Sequence, residues 1–198
     1  MPDARAAILD AAEELFARQG FAATTIKDIA RAADVNSALL YYYFADKDAL
    51  YEAVLERLVG PALEGLKALS DVRTPEEGIR MLIRAVSGRL AERPHMARFL
   101  SREMADHEGS RARAFIERVA TGPFAKLTQL LRAAQATGAV RADIRPEFAA
   151  ISIMAQVNWF AIARPAMERL LGERLTPEVW AQFADHAATF ALSALRPV

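Results

Sequence analysis

Ile8, Ala12, Leu15 and Phe16 recur at the i, i+4, i+7, i+8 spacing, the stripe of a helix that turns one side to a core. This pattern predicts a helix over 4–19, ended by Gly20. Thr25-Ile26-Lys27-Asp28 has the spacing of a capping box and opens a short second helix. A third covers about 37–43. The turn between them falls at Asp34-Val35, where one residue needs positive φ, a conformation that Asp tolerates better than most. Asp46 reads as the N-cap of a fourth helix with Leu50, Val54 and Leu58 on one face.

Later punctuation is equally helical. Gly60-Pro61 is expected to kink or end the fourth helix, and Thr74-Pro75-Glu76-Glu77 to open the next. Pro94 starts another segment. Gly122-Pro123 interrupts a long one over 111–136, Pro146 opens an apolar stretch to about 170, and Thr176-Pro177-Glu178 opens the last helix, to about 195. The expected fold is all-α, with about nine helices and no strand.

Composition narrows the function. The 198 residues are 53% hydrophobic and include no cysteine, a globular balance that excludes disulfide frameworks, thiol nucleophiles and cysteine zinc sites. Nothing approaches the roughly 18 uninterrupted apolar residues of a membrane span. Met1-Pro2-Asp3-Ala4-Arg5 lacks the apolar core of a signal peptide, so no membrane association and a cytoplasmic location are expected. Enzyme signatures are absent: there is no GxGxxG and no GxSxG, and Gly60 and Gly65 keep P-loop spacing with Leu66 in place of the lysine. No enzyme activity and no cofactor are expected. Net charge is zero, but residues 1–50 hold five basic side chains against eight acidic ones, a net −3. A nucleic-acid interface here must therefore rest on where a few cations sit, and its binding should fall steeply with salt.

Isolated short helices gain little from propensity alone and persist when packed. Ile26, Ile29, Ala30, Val35, Leu40 and Phe44 supply a small core with Ile8, Phe16 and Phe21, the arrangement of a helix-turn-helix. Its second helix leaves Asn36, Ser37, Leu39, Tyr42 and Tyr43 facing outward. The run from Gly20 to Ala30, then Ala33-Asp34-Val35-Asn36-Ser37, then Leu40-Tyr41-Tyr42-Tyr43-Phe44-Ala45-Asp46-Lys47-Asp48-Ala49-Leu50-Tyr51, resembles the DNA-binding region of the TetR family of bacterial transcriptional regulators. Asp34 stands where the family usually has glycine, and Leu39 where threonine is frequent.

The resemblance implies roles. Thr25, Tyr41, Tyr42, Tyr43 and Lys47 would hold phosphates of a double-stranded operator, and Asn36, Ser37 and Lys27 would reach base edges, with Leu39 against a thymine methyl. It also implies two domains, 1–50 for DNA and 51–198 for effector binding and dimerisation, and a repressor released from a palindromic operator by a small-molecule effector. A helical protein-interaction module that does not bind DNA is the alternative. Phe99-Leu100-Ser101-Arg102-Glu103-Met104 and the segment 156–165 further resemble a CecR-like subgroup.

For the effector, Met96, Phe99, Leu100, Met104, Phe115, Phe124 and Trp159 are candidate lining residues, with Glu103, His107, Gln156 and Asn158 as polar contacts. Glu103 and His107 stand one turn apart with His95 upstream, a spacing more typical of an exposed ion pair than of a metal site. No metal is assigned. The last two helices of each subunit are expected to pair into a four-helix bundle through Ile151, Met154, Ala155, Ile162, Phe183, Ala187, Phe190 and Ala191.

Overall fold

The computed structural model describes residues 3–107 and 113–197, apart from the side chains of 103–107 and 114. Among the described residues the regular structure is entirely helical. The helices are α1 (Ala4–Ala23), α2 (Ile26–Ala32), α3 (Ser37–Tyr43), α4 (Lys47–Gly65), α5 (Pro75–Glu92) and α6 (His95–His107), followed by α7 (Arg113–Val119), α8 (Ala125–Ala136), α9 (Pro146–Ile162), α10 (Arg164–Leu171) and α11 (Pro177–Leu195). A 3-10 turn, Leu66–Asp71, follows α4, and a π-type turn, Ala120–Phe124, joins α7 to α8. Two expected segments are thereby divided. At Gly122, φ −99° and ψ −106° leave helical space before Pro123. At Arg164-Pro165 the missing N–H and the restricted preceding residue close α9 at Ile162.

The chain forms two compact units, Met1–Pro61 with His95–Ala114, and Ala62–Pro94 with Phe115–Val198. The division falls at Pro61, beyond residue 50. The helix does not end there: Pro61 lies inside α4, which continues to Gly65. Gly60 and Gly65 therefore sit on a helix rather than in a phosphate-binding loop.

In the first unit, α1 packs against α2, α3 and α6. Ile8, Phe16, Ile29, Ala30, Leu40, Phe44, Leu50, Val54 and Leu58 are buried, as the apolar spacing predicts; Phe21, Ile26 and Val35 are half-buried. Phe99 of α6 completes this core by stacking on Tyr51 at 4.8 Å and meeting Phe16 edge-on at 6.4 Å. Gly20 breaks α1 at φ 83° and ψ 171°, a region open essentially to glycine alone. The Thr24 hydroxyl then donates to the freed Gly20 carbonyl at 2.6 Å.

In the second unit, α5 packs against α8, α9 and α11. Ile79, Leu82, Ile83 and Leu90 of α5 are buried, as are Leu127 and Leu131 of α8, Ile153 and Val157 of α9, and Ala184, Ala187 and Ala188 of α11. Phe160 stacks on Phe183 at 3.8 Å and meets Trp180 edge-on at 5.0 Å, joining α9 to α11. Ala187 and Ala191 are buried in the subunit's own core, so neither is available to a second subunit. The outer side of α9 carries an apolar stripe instead: Phe148, Ile151, Ala155, Trp159 and Ile162 are exposed at three- and four-residue steps, and Phe190 of α11 is exposed too.

Candidate nucleic-acid interface

The turn between α2 and α3 is built from local chemistry. Thr25 and Asp28 form a reciprocal capping box: the Asp28 N–H donates to Thr25 Oγ1 at 3.2 Å, and the Thr25 N–H donates to Asp28 Oδ2 at 3.3 Å. The Thr25 hydroxyl also donates to Asp28 Oδ2 at 2.6 Å. That bond, more than the guanidinium of Arg31, holds the Asp28 carboxyl below the ordinary carboxylate range. Asp34 takes φ 54°, the one non-glycine positive φ among the described residues. The chain thus turns where the sequence places it, with an aspartate in a conformation that suits glycine better.

Asn36 is the N-cap of α3, its Oδ1 accepting from the Leu39 N–H at 2.7 Å. Its carboxamide oxygen is committed to the backbone and the amide NH2 is left to point outward. Leu40 is buried, while Tyr41, Tyr42 and Tyr43 are exposed, Tyr42 by 79%. Tyr42 and Tyr43 meet edge-on at 5.1 Å, so two phenols project together. Ser37 and Leu39 are half-buried on the same short helix, and Lys27 on α2 is exposed. Among the described residues Lys27 makes no ion pair.

Lys47, which the resemblance places on a phosphate, also has partners within the fold. Its Nζ donates to the Phe21 carbonyl at 2.9 Å and the Thr24 carbonyl at 3.0 Å, and lies 4.1 Å from the Phe21 ring centroid. The ammonium closes the C-terminal end of α1, where carbonyls lack helical partners, and one of its three N–H bonds remains for a phosphate. Arg5 is a cation that spacing did not single out. Its guanidinium carbon sits 5.4 Å from the Phe44 ring centroid, beside the end of α3. The signal available was its rarity, as one of five basic residues in the first fifty.

Residues 8–54 match the profile of the bacterial regulatory proteins of the tetR family, and residues 75–190 match that of a tetracyclin repressor-like C-terminal domain. The transcriptional regulator RutR of Escherichia coli K12 is 30% identical over 196 residues, covering 96% of this chain and 90% of that protein. The chain belongs to the TetR family. It is a DNA-binding transcriptional regulator and not an enzyme. The transcriptional repressor NicS of Pseudomonas putida is 29% identical over 140 residues, covering 69% of this chain and 66% of its own. The ketosteroid transcriptional regulator KstR2 of Mycobacterium tuberculosis shares the fold, with a TM-score of 0.78 at 20% identity over 99% of this chain and 96% of that one. Both parts of the TetR architecture are thus accounted for, the helix-turn-helix and the helical C-terminal domain. Among the described residues no helix is long and apolar enough to cross a membrane.

The residues expected to contact an effector do not gather into one described pocket. Met96 and Phe99 are buried in the core of the first unit, and Leu100 is half-buried there. Phe115, Phe124, Gln156, Asn158 and Trp159 belong to the second unit. Trp159 is 63% exposed on the outer stripe of α9. The two amides answer their polarity on their own helix, Gln156 Nε2 donating to the Ser152 carbonyl at 3.4 Å and Asn158 Nδ2 to the Met154 carbonyl at 3.1 Å. Gln156 also lines a cleft of about 550 Å³ between α9 and α11, with Phe148, Ser152 and Phe190. The side chains of Glu103, Met104 and His107 lie outside the described residues, so the His95, Glu103 and His107 grouping does too.

Proposed function

We propose that this TetR regulator is a dimeric repressor, released from a palindromic operator by a small-molecule effector. The observation that carries the reading is the outward side of α3: three exposed tyrosines follow a capped N-terminus, on a helix anchored by a single buried leucine. Such a helix has its side chains free for the major groove. Ser37 and the Asn36 amide NH2 are the base readers, with Lys27 beside them and Leu39 against a thymine methyl. Tyr41, Tyr42 and Tyr43 donate phenol hydrogen bonds to phosphates, as do the free N–H of Lys47 and, on giving up Asp28, the hydroxyl of Thr25. Residues 1–50 carry this role, and residues 51–198 carry effector binding and dimerisation.

The apolar stripe of α9, together with exposed Phe190 of α11, supports pairing with a second copy in a four-helix bundle. Pairing would set two α3 helices about 34–36 Å apart, one turn of duplex. An effector that binds the widened dimer more tightly pulls them out of register, and that differential affinity is the full measure of its effect. The operator is cytoplasmic DNA. The segments 99–104 and 156–165 support placing the C-terminal domain with CecR-like regulators.

Selection from random duplexes, with the dimer verified by ultracentrifugation, tests the reading. Recovery of an inverted repeat with half-site centres one turn apart is the expected result. Recovery of no repeat, with or without a metabolite extract present during selection, would refute it.

A further inference from the structure

Cations are scarce around the helix-turn-helix, so the setting of each one matters. Residues 1–50 hold five basic side chains against eight acidic ones. Three of the five are engaged within the fold. Arg18 pairs with Glu14 and Arg31 with Asp28, both at 3.7 Å, and the Lys47 ammonium donates to the Phe21 and Thr24 carbonyls. Among the described residues the side chains of the other two, Arg5 and Lys27, make no ion pair and no hydrogen bond. Lys27 stands on α2, within the helix-turn-helix, whereas Arg5 stands in the first turn of α1.

The helix itself gives no reason for an arginine at that position. A cation in the first turn is opposed by the positive end of the macrodipole. Asp3, two residues before it, uses its carboxylate as the N-cap of α1, accepting from the Arg5 backbone N–H at 3.0 Å. What fixes the side chain is Phe44, whose ring centroid lies 5.4 Å from the guanidinium carbon. Phe44 is buried and Arg5 is exposed, so the ring backs the guanidinium and its N–H groups open to solvent. Phe44 also closes α3. Its ring lies 6.5 Å from that of Tyr43, which in turn lies 5.1 Å from that of Tyr42. The free cation therefore stands at one end of a row of rings that finishes in the two outward phenols.

We infer that Arg5 is a further DNA-contacting residue, its guanidinium holding a backbone phosphate beside those reached by Tyr42 and Tyr43. The inference rests on the reading that the outward side of α3 meets the duplex. A guanidinium presents its N–H donors in a rigid fork that matches phosphate geometry, and it stacks on an aromatic face while staying charged. In a segment whose net charge is −3, one more unpaired cation on the same side is a large share of the attraction to a polyanion. A phosphate contact made from α1 fixes the orientation of α3 in the groove and carries no sequence preference of its own.

The test is an anisotropy titration of the full-length protein over a salt series, with a selected operator duplex and an unrelated duplex of the same length. The unrelated duplex reads the phosphate contribution even where no operator has been selected. Arg5→Met keeps an unbranched stem against Phe44 and removes the charge, Arg5→Gln is a second uncharged variant with a polar tip, and Arg5→Lys keeps the charge. Both uncharged variants are expected to weaken binding to the two duplexes alike and to flatten the slope of log K against log salt by about 0.9 for each subunit bound. Their deficit against wild type should therefore shrink about threefold per subunit between about 50 and 200 mM salt. Arg5→Lys should keep the wild-type slope. An arginine with a structural role only would move the urea midpoint and leave the slope alone. The inference is overturned by an unchanged slope in the uncharged variants, by a loss confined to particular base pairs, or by an Arg5→Lys slope equal to theirs. Tyr42→Phe, run in parallel, separates this failure from that of the α3 reading. If it weakens binding while Arg5→Met does not, the assignment of Arg5 alone falls; if neither variant does, both fall.

Discussion

Replacing Lys47 with methionine removes one charged nitrogen while keeping an unbranched stem against Phe21. The nitrogen donates to two backbone carbonyls at 2.9 and 3.0 Å, and Thr24, which carries one of them, is fully buried. A hydrogen bond to a charged group contributes about 1.5–3 kcal/mol net. Because Lys47 is half-buried rather than enclosed, the lower end applies to each bond. Loss of the cation from the Phe21 face, 4.1 Å away, adds about 0.5–1 kcal/mol. The variant should therefore lose about 3.5–4 kcal/mol, read as a lower urea midpoint with an unchanged m-value at fixed protein concentration. Operator titrations on the folded fraction separate the second role: if the remaining N–H holds a phosphate, the slope of log K against log salt flattens by about 0.9 per subunit. A destabilisation under about 0.5 kcal/mol would refute the reasoning, because it would place the ammonium in solvent.

Three further outcomes follow from the same geometry. Asp34→Gly relieves a φ of 54° worth about 1–2 kcal/mol, partly offset by glycine's greater freedom when unfolded; a higher urea midpoint is expected, and a clear drop would contradict it. Asp28 has its carboxyl held low by the Thr25 hydroxyl, so its contribution is present above the ordinary carboxylate pKa and is lost as pH falls through the depressed one. The stability difference between wild type and Asp28→Asn should then shrink toward zero across the acid range, and a difference independent of pH would count against the capping box. Ile151→Asp puts a charge in the exposed α9 stripe and should yield a folded monomer by sedimentation with operator binding lost; a persisting dimer would move the interface elsewhere.

How far the fold could be read in advance depended on the range of each interaction. The Thr25–Asp28 box, the Asp46 cap and the turn at Asp34 are set within four residues, and all stand where spacing places them. Helix ends governed by proline were harder. Pro165 stops a helix, whereas Pro61 sits inside one, because neighbouring packing decides whether a missing N–H is tolerated. Phe99 has the apolar spacing of a pocket wall and of a core residue alike. Its stacking on Tyr51, forty-eight positions earlier, is a tertiary contact that spacing does not give. Lys47 and the carbonyls of Phe21 and Thr24 are likewise a tertiary meeting. A lysine just past an N-cap gives no sign of these partners until α1 is folded back beside it. Gln156 and Asn158 show the opposite case: their amides bond one turn back along α9, a local solution available to an amide on a helix without any ligand.

The most direct test of the central claim, that the outward side of α3 reads an operator, is an anisotropy titration of Ser37→Ala and Tyr42→Phe against the selected duplex and its single-base variants. Ser37→Ala is the cleaner reader to remove, since Asn36 also caps the helix. The account predicts that Ser37→Ala changes preference at particular base pairs by about 1–3 kcal/mol, while Tyr42→Phe weakens every duplex alike. If both variants bind all duplexes as the wild type does, with the dimer intact and folded, α3 is not the reading surface.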